Sequence, residues 1–151
     1  MTIDRWSPLA LGIHPDEVAD VAALHLNGWQ LVDPSAVAGT PGDYARFVAG
    51  SQAEFGVAKS GYVVSDSGWF SDRSGCYLAS GRPVVAMETG MSRRLPVGKG
   101  LLTFRTLDEA VAAIEELLGD YATHRRAARA IAEEHLDGTR VLPPLLEALL
   151  R

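Results

Sequence analysis

Apolar residues along the chain change period several times, and each change marks an element. Residues 8–13, PLALGI, form a short apolar run that predicts a buried strand. Pro15 suits the first turn of a helix, and Val18, Val21, Ala22 and Leu24 or His25 then recur at helical spacing. Asn27-Gly28 closes that helix, because both residues tolerate a left-handed cap. WQLVD, 29–33, predicts a second strand ended by Pro34. PGDYARFVAGS predicts a helix with Tyr44, Phe47 and Val48 on one face. EFGVAK, 54–59, reads as a third strand weakened by Gly56.

A polar loop over 60–70 leads to a helix at 71–80, a strand at 83–88, a loop at 90–100 and a strand at 101–104. Thr106 followed by Glu109 is a capping-box pattern, and Leu107, Val111, Ile114 and Leu118 make the stripe of the next helix. Residues 120–136, rich in Ala, Arg and Glu, predict a solvent-facing helix broken at Asp137-Gly138. Leu142, Leu145, Leu146 and Leu149 mark a last helix. Alternation of this kind predicts an α/β fold: one Rossmann-like, doubly wound parallel sheet of about five strands, helices on both faces and extra C-terminal helices, in a single domain over 1–151.

Composition narrows this picture modestly. The 151 residues suffice for one ordinary core, and 47% hydrophobic with 22% charged residues is a globular mixture. No apolar run approaches the roughly 20 residues that span a bilayer. The N-terminus lacks a basic region followed by a long apolar stretch, so no signal peptide is expected. The single cysteine, Cys76, excludes an internal disulfide, fits a reducing cytoplasm and is expected to pack as a small apolar residue. The four histidines are scattered without metal-ligand spacing, so no metal is expected. A net charge of −5 argues against a general nucleic-acid binder but leaves room for one local anion site.

Candidate chemistry gathers where the predicted strands end, because ligands of open α/β sheets bind at the carboxyl rim. Lys59 ends the third strand, and the helix starting near Ser71 points its amides and dipole at the same rim. Ser71, Ser74 and Arg73 add hydroxyl and guanidinium donors for phosphate, and Gly68 permits close backbone approach. Ser71 or Asp72 also suits an N-cap, and Asp72 alternatively meets a ligand hydroxyl. Glu88 and Thr89, after the fourth strand, suit sugar hydroxyls or a plain turn. His14 follows the first strand on the same rim, as a phosphate contact or base. No G-x-S-x-G, Walker loop or G-x-G-x-x-G occurs, and no nucleophile-base-acid set is visible.

SGWFSDRSGCYLASGRPVV, the ETG turn with LPVGKGLLTF, and TLDEAVAAIEEL with the Arg-rich helix behind it resemble the C-terminal half of bacterial GT-B glycosyltransferases. The resemblance implies a Rossmann-like donor-binding domain for a nucleotide diphosphate sugar, with no other cofactor. Residues 67–74 and Lys59 would lie at the diphosphate, and the ETG turn would lie near the donor. The paired glutamates of many retaining members are absent, with Gly68 and Cys76 at those positions. One half alone implies a donor domain inactive in transfer without an acceptor-binding partner chain. The alternative is a non-catalytic binding or assembly module, dimeric through its last helix.

Overall fold

The computed structural model describes residues 9–10 and 18–150, which fall in two compact units, Met1–Phe47 and Val48–Arg151. In the first unit, β1 (Leu9–Ala10) pairs in parallel with β2 (Gln30–Leu31), with α1 (Val18–Leu26) as the crossover. Gly28, at φ +79°, ends α1 in the left-handed conformation that Asn27-Gly28 foretold. The five-residue α2 (Pro34–Ala38) has Asp33 as its N-cap, accepting from the Ser35 amide, and Pro34 in its first turn. In α3 (Pro41–Gly50), the Thr40 hydroxyl accepts from the Asp43 amide and donates to the Asp43 carboxylate.

The second unit is built on three parallel strands in the order β3 (Glu54–Gly56), β4 (Val84–Met87), β5 (Leu101–Phe104). Val84 faces Glu54 on one side and Leu101 on the other, and Val85 lies between Phe55 and Leu102. The side-chain period of two therefore puts Glu54, Gly56, Val84, Ala86 and Leu101 on one face. Phe55, Val85, Met87, Leu102 and Phe104 share the other, where the Phe55 and Phe104 rings stack at 5.3 Å. The expected five-strand sheet is thus corrected: this sheet has three strands, and the two others form a separate pair.

After β3 come the short helix α4 (Ser60–Val64), inside the expected loop, and α5 (Asp72–Ala79), which leads into β4. A 3-10 turn (Met91–Arg93) and a loop carry the chain to β5. The capping box of α6 (Leu107–Gly119) forms as expected: Thr106 accepts from the Glu109 amide, and the Glu109 carboxylate accepts from the Thr106 amide. After it, α7 (Tyr121–Ile131) packs on α5 and β5. It is not solvent-facing all round, because His124, Ala128 and Ile131 are buried. A π-helical turn (Ala132–Leu136) precedes α8 (Gly138–Leu149), whose leucines are exposed. Leu78, Val84, Val85, Leu101 and Leu117 form the heart of the core. No helix among the described residues is long and apolar enough to cross a membrane.

Candidate functional site

The loop before α5 is clamped from two sides. Gly68, at φ +75°, donates its amide to the Thr89 carbonyl at 2.7 Å, and the Thr89 hydroxyl donates to the Trp69 carbonyl at 2.6 Å. The Trp69 ring stacks on Tyr62 of α4 at 4.7 Å, and Arg93 pairs with Asp66. Chain 66–71 is therefore held against the turn after β4, and α5 starts beside the carboxyl ends of β3 and β4.

At that start Ser71 occupies the N-cap position but makes no side-chain cap bond to its helix. Its hydroxyl reaches only the Asp72 carboxylate, at 3.5 Å, and that carboxylate accepts the Arg73 amide at 2.9 Å. Capping is thus done by Asp72 from inside the first turn, where a carboxylate complements the helix dipole. Ser71 and Ser74 are buried, whereas Asp72 and Arg73 are exposed.

Arg73 Nε donates to Glu54 Oε1 at 2.5 Å. The Glu54 side chain is 4% exposed and that of Arg73 52%, so the pair joins a sequestered carboxylate to a half-solvated guanidinium. Glu54 Oε2 has no hydrogen-bond partner among the described residues. Tyr77, one turn after Arg73, has its phenol pushed up first by burial, against a hydrogen bond from Ser51, and further up by Glu54. Along the chain, Glu54 is marked only as one acidic residue opening an apolar strand.

Glu88 is buried at the end of β4, and its Oε1 accepts from the Gly90 amide at 2.6 Å and the Ser92 amide at 3.4 Å. Burial alone raises its pKa, but these amides and the Ser92 and Thr103 hydroxyls outweigh it and hold the carboxyl below the ordinary glutamate value. A depressed folded value means the stabilisation is present above the unfolded value and lost as pH falls through the folded one. Glu88→Gln is expected to cost about 1–2 kcal/mol near neutrality. The gap from wild type should close as the solution is acidified below about pH 4. Urea unfolding across that range checks it, and a constant gap contradicts it.

Ser71, Arg73 and Ser74 share a small cavity with Gly56, Ala86 and Met91. Its volume, about 10 Å³, admits one water molecule and no ligand. Any ligand therefore sits on the rim outside it. Gly68 and Thr89 border this place through the loop clamp, and Glu88 turns inward to hold its own turn. Lys59 is exposed at the start of α4, and His14 lies outside the described residues. Cys76, expected to pack, is exposed. No group of three or more His, Cys, Asp or Glu among the described residues could hold a metal ion.

Two curated proteins are similar to this chain, and both are named phosphoribosylamine–glycine ligase. The one from Pasteurella multocida is 40% identical over 58 residues, 38% of this chain. The one from Xanthomonas campestris pv. campestris is 29% identical over 132 residues, 87% of this chain. The chain's matched residues span only 13% and 27% of these relatives. No family model matches the chain, and no solved structure does. These ligase names overturn the resemblance to GT-B glycosyltransferases. With it fall the donor-domain reading, its non-catalytic glycosyltransferase-like alternative and the nucleotide-sugar partner. The physical lesson is that a strand, a Gly-Arg-Pro break and a second strand are α/β packing grammar, shared by folds of many functions.

Proposed function

We propose that the chain is part of a ligase and that the rim at the start of α5 takes the phosphate of a phosphoribosyl compound. The observation that carries this reading is the amino end of α5 at the carboxyl rim, with a Ser71 hydroxyl that its own helix does not use as a cap. First-turn amides lack helical partners, and the dipole favours an anion there. Gly68 lets the backbone approach a ligand, and exposed Lys59 is the candidate for a further donor, whereas Ser74 is buried behind the rim. Both similar proteins carry the word phosphoribosylamine in their names, which supports a phosphorylated sugar over a nucleotide diphosphate. Because Glu54 already neutralises much of Arg73, the amides supply the main attraction.

Ser71→Asp tests the reading. The new aspartate is part-buried beside the Asp72 carboxylate, so the variant should lose about 1–3 kcal/mol of stability, and urea unfolding confirms that it still folds before binding is compared. Its carboxylate would occupy the anion position. Titration calorimetry with ribose 5-phosphate should show binding to the wild type that weakens at least about tenfold in the variant, by charge repulsion of some 1.4 kcal/mol. Unphosphorylated ribose should give no heat. Equal affinity of both proteins for ribose 5-phosphate, or no binding at all, would sink the proposal.

A further inference from the structure

We infer that the groove between the end of α5 and the exposed face of α7 is a second site, for a small polyanion bearing at least two phosphate or carboxylate groups. The groove is shallow and open to solvent, with a volume of about 670 Å³. Its floor is built from small residues, Ala79, Ser80 and Gly81 on one side and Ala122 and Ala130 on the other. Arg125, Arg126 and Arg129 stand around that floor, against the single carboxylate of Glu133. The concentration of positive charge is unusual on a chain with net charge −5, and α7 holds no acidic residue at all.

Part of this charge has a local use. Arg125 Nε donates to the Gly81 carbonyl at 3.4 Å, and Arg129 donates to the Ala79 carbonyl, so both complement the carboxyl end of α5. Arg129 Nε also pairs with Glu133 at 2.7 Å, and Arg126 donates only to the Thr123 hydroxyl, at 3.0 Å. Each guanidinium thus commits one or two of its roughly five N–H donors. Helix complementation accounts for Arg125 and Arg129 but not for Arg126, whose hydrogen bond goes to Thr123 of its own helix. The remaining donors lie around one concavity, and arginine forks match the paired oxygens of phosphate and carboxylate.

The occupant is small, because the three arginines form a local patch on an acidic chain, unlike the continuous basic surface that nucleic acid needs. This site does not rest on the phosphoribosyl reading. It lies at the other end of α5, whose eight residues span about 12 Å at 1.5 Å each.

Inorganic tripolyphosphate is the probe, titrated calorimetrically into the full chain at fixed ionic strength. The expected result is one site per chain, with affinity reduced at least tenfold in Arg126→Gln and unchanged in Ser71→Asp. The melting temperature of ligand-free Arg126→Gln should match the wild type, since the only bond lost is exposed and local. Arg125→Gln/Arg126→Gln should weaken binding further. No binding, equal affinity in Arg126→Gln, or tighter capture of an oligoglutamate peptide than of tripolyphosphate would each overturn the inference.

Discussion

Gly100→Ala should destabilise the unit Val48–Arg151 by about 4 kcal/mol, the sum of two independent costs. Gly100 precedes β5 with φ +80°, a conformation that costs a residue with a Cβ about 1–3 kcal/mol. An added Cβ would also lie 2.3 Å from the Ala128 amide nitrogen and 2.7 Å from the Ala127 carbonyl carbon. Those atoms are helix backbone in the middle of α7 and cannot swing aside as a side-chain tip would. Relieving the clash moves β5 away from α7, at a further cost of about 1–3 kcal/mol for an overpacked core. The same shift stretches the 3.2 Å hydrogen bond from the Gly100 amide to Nδ1 of buried His124. Gly98 is the control: its φ is +108° but nothing lies within 4 Å of its Cβ position, so Gly98→Ala carries only the backbone strain. Urea midpoints at constant m-value measure both. Equal losses in the two variants contradict the close approach of β5 to α7.

That close approach explains why some of the fold was legible in the sequence and some was not. The stretches with strong local chemistry appear where they were read. The capping box at Thr106 and Glu109 opens α6, strand 83–88 becomes Val84–Met87, and the segment at 71–80 becomes α5. Each carries its own signal within a few residues. Helices α2 and α4 were missed because five residues hold too little periodicity to register. The face of α7 was misread because two of its three buried positions, His124 and Ala128, are a polar residue and a small one, and neither announces burial as Ile131 does. Only Gly100, seated against Ala128, shows what the small side chain is for.

Strand count failed for a related reason. Pairing is non-local, and two-residue strands such as Leu9–Ala10 bring few contacts to fix it. In the candidate site, Ser71 stands at the N-cap position of α5 and Gly68 takes a positive φ in the loop before it. Glu54 escaped because its meaning depends on Arg73, nineteen positions later in the chain.

The Glu54–Arg73 pair yields the second large effect. Arg73→Met should cost about 2 kcal/mol, since a buried carboxylate left without its donor loses about 1–3 kcal/mol. The half-exposed guanidinium keeps the figure below that for a fully buried pair, where removal of one partner costs about 3–5 kcal/mol. Glu54→Gln should cost less, because Arg73 is solvated readily and the amide oxygen still accepts a hydrogen bond. In the double variant no buried charge remains, so its loss should fall short of the sum of the single losses by at least about 1 kcal/mol. Additive losses in chemical denaturation would mean that the two side chains are neighbours without coupling. The cycle also decides how ligand data on Arg73 are to be interpreted. A drop in phosphate affinity in Arg73→Met mixes lost contact with the inward pull of a stranded Glu54 on the start of α5. If the double variant recovers affinity along with stability, Arg73 serves the rim by holding Glu54 quiet. If stability returns and affinity does not, the guanidinium itself touches the ligand.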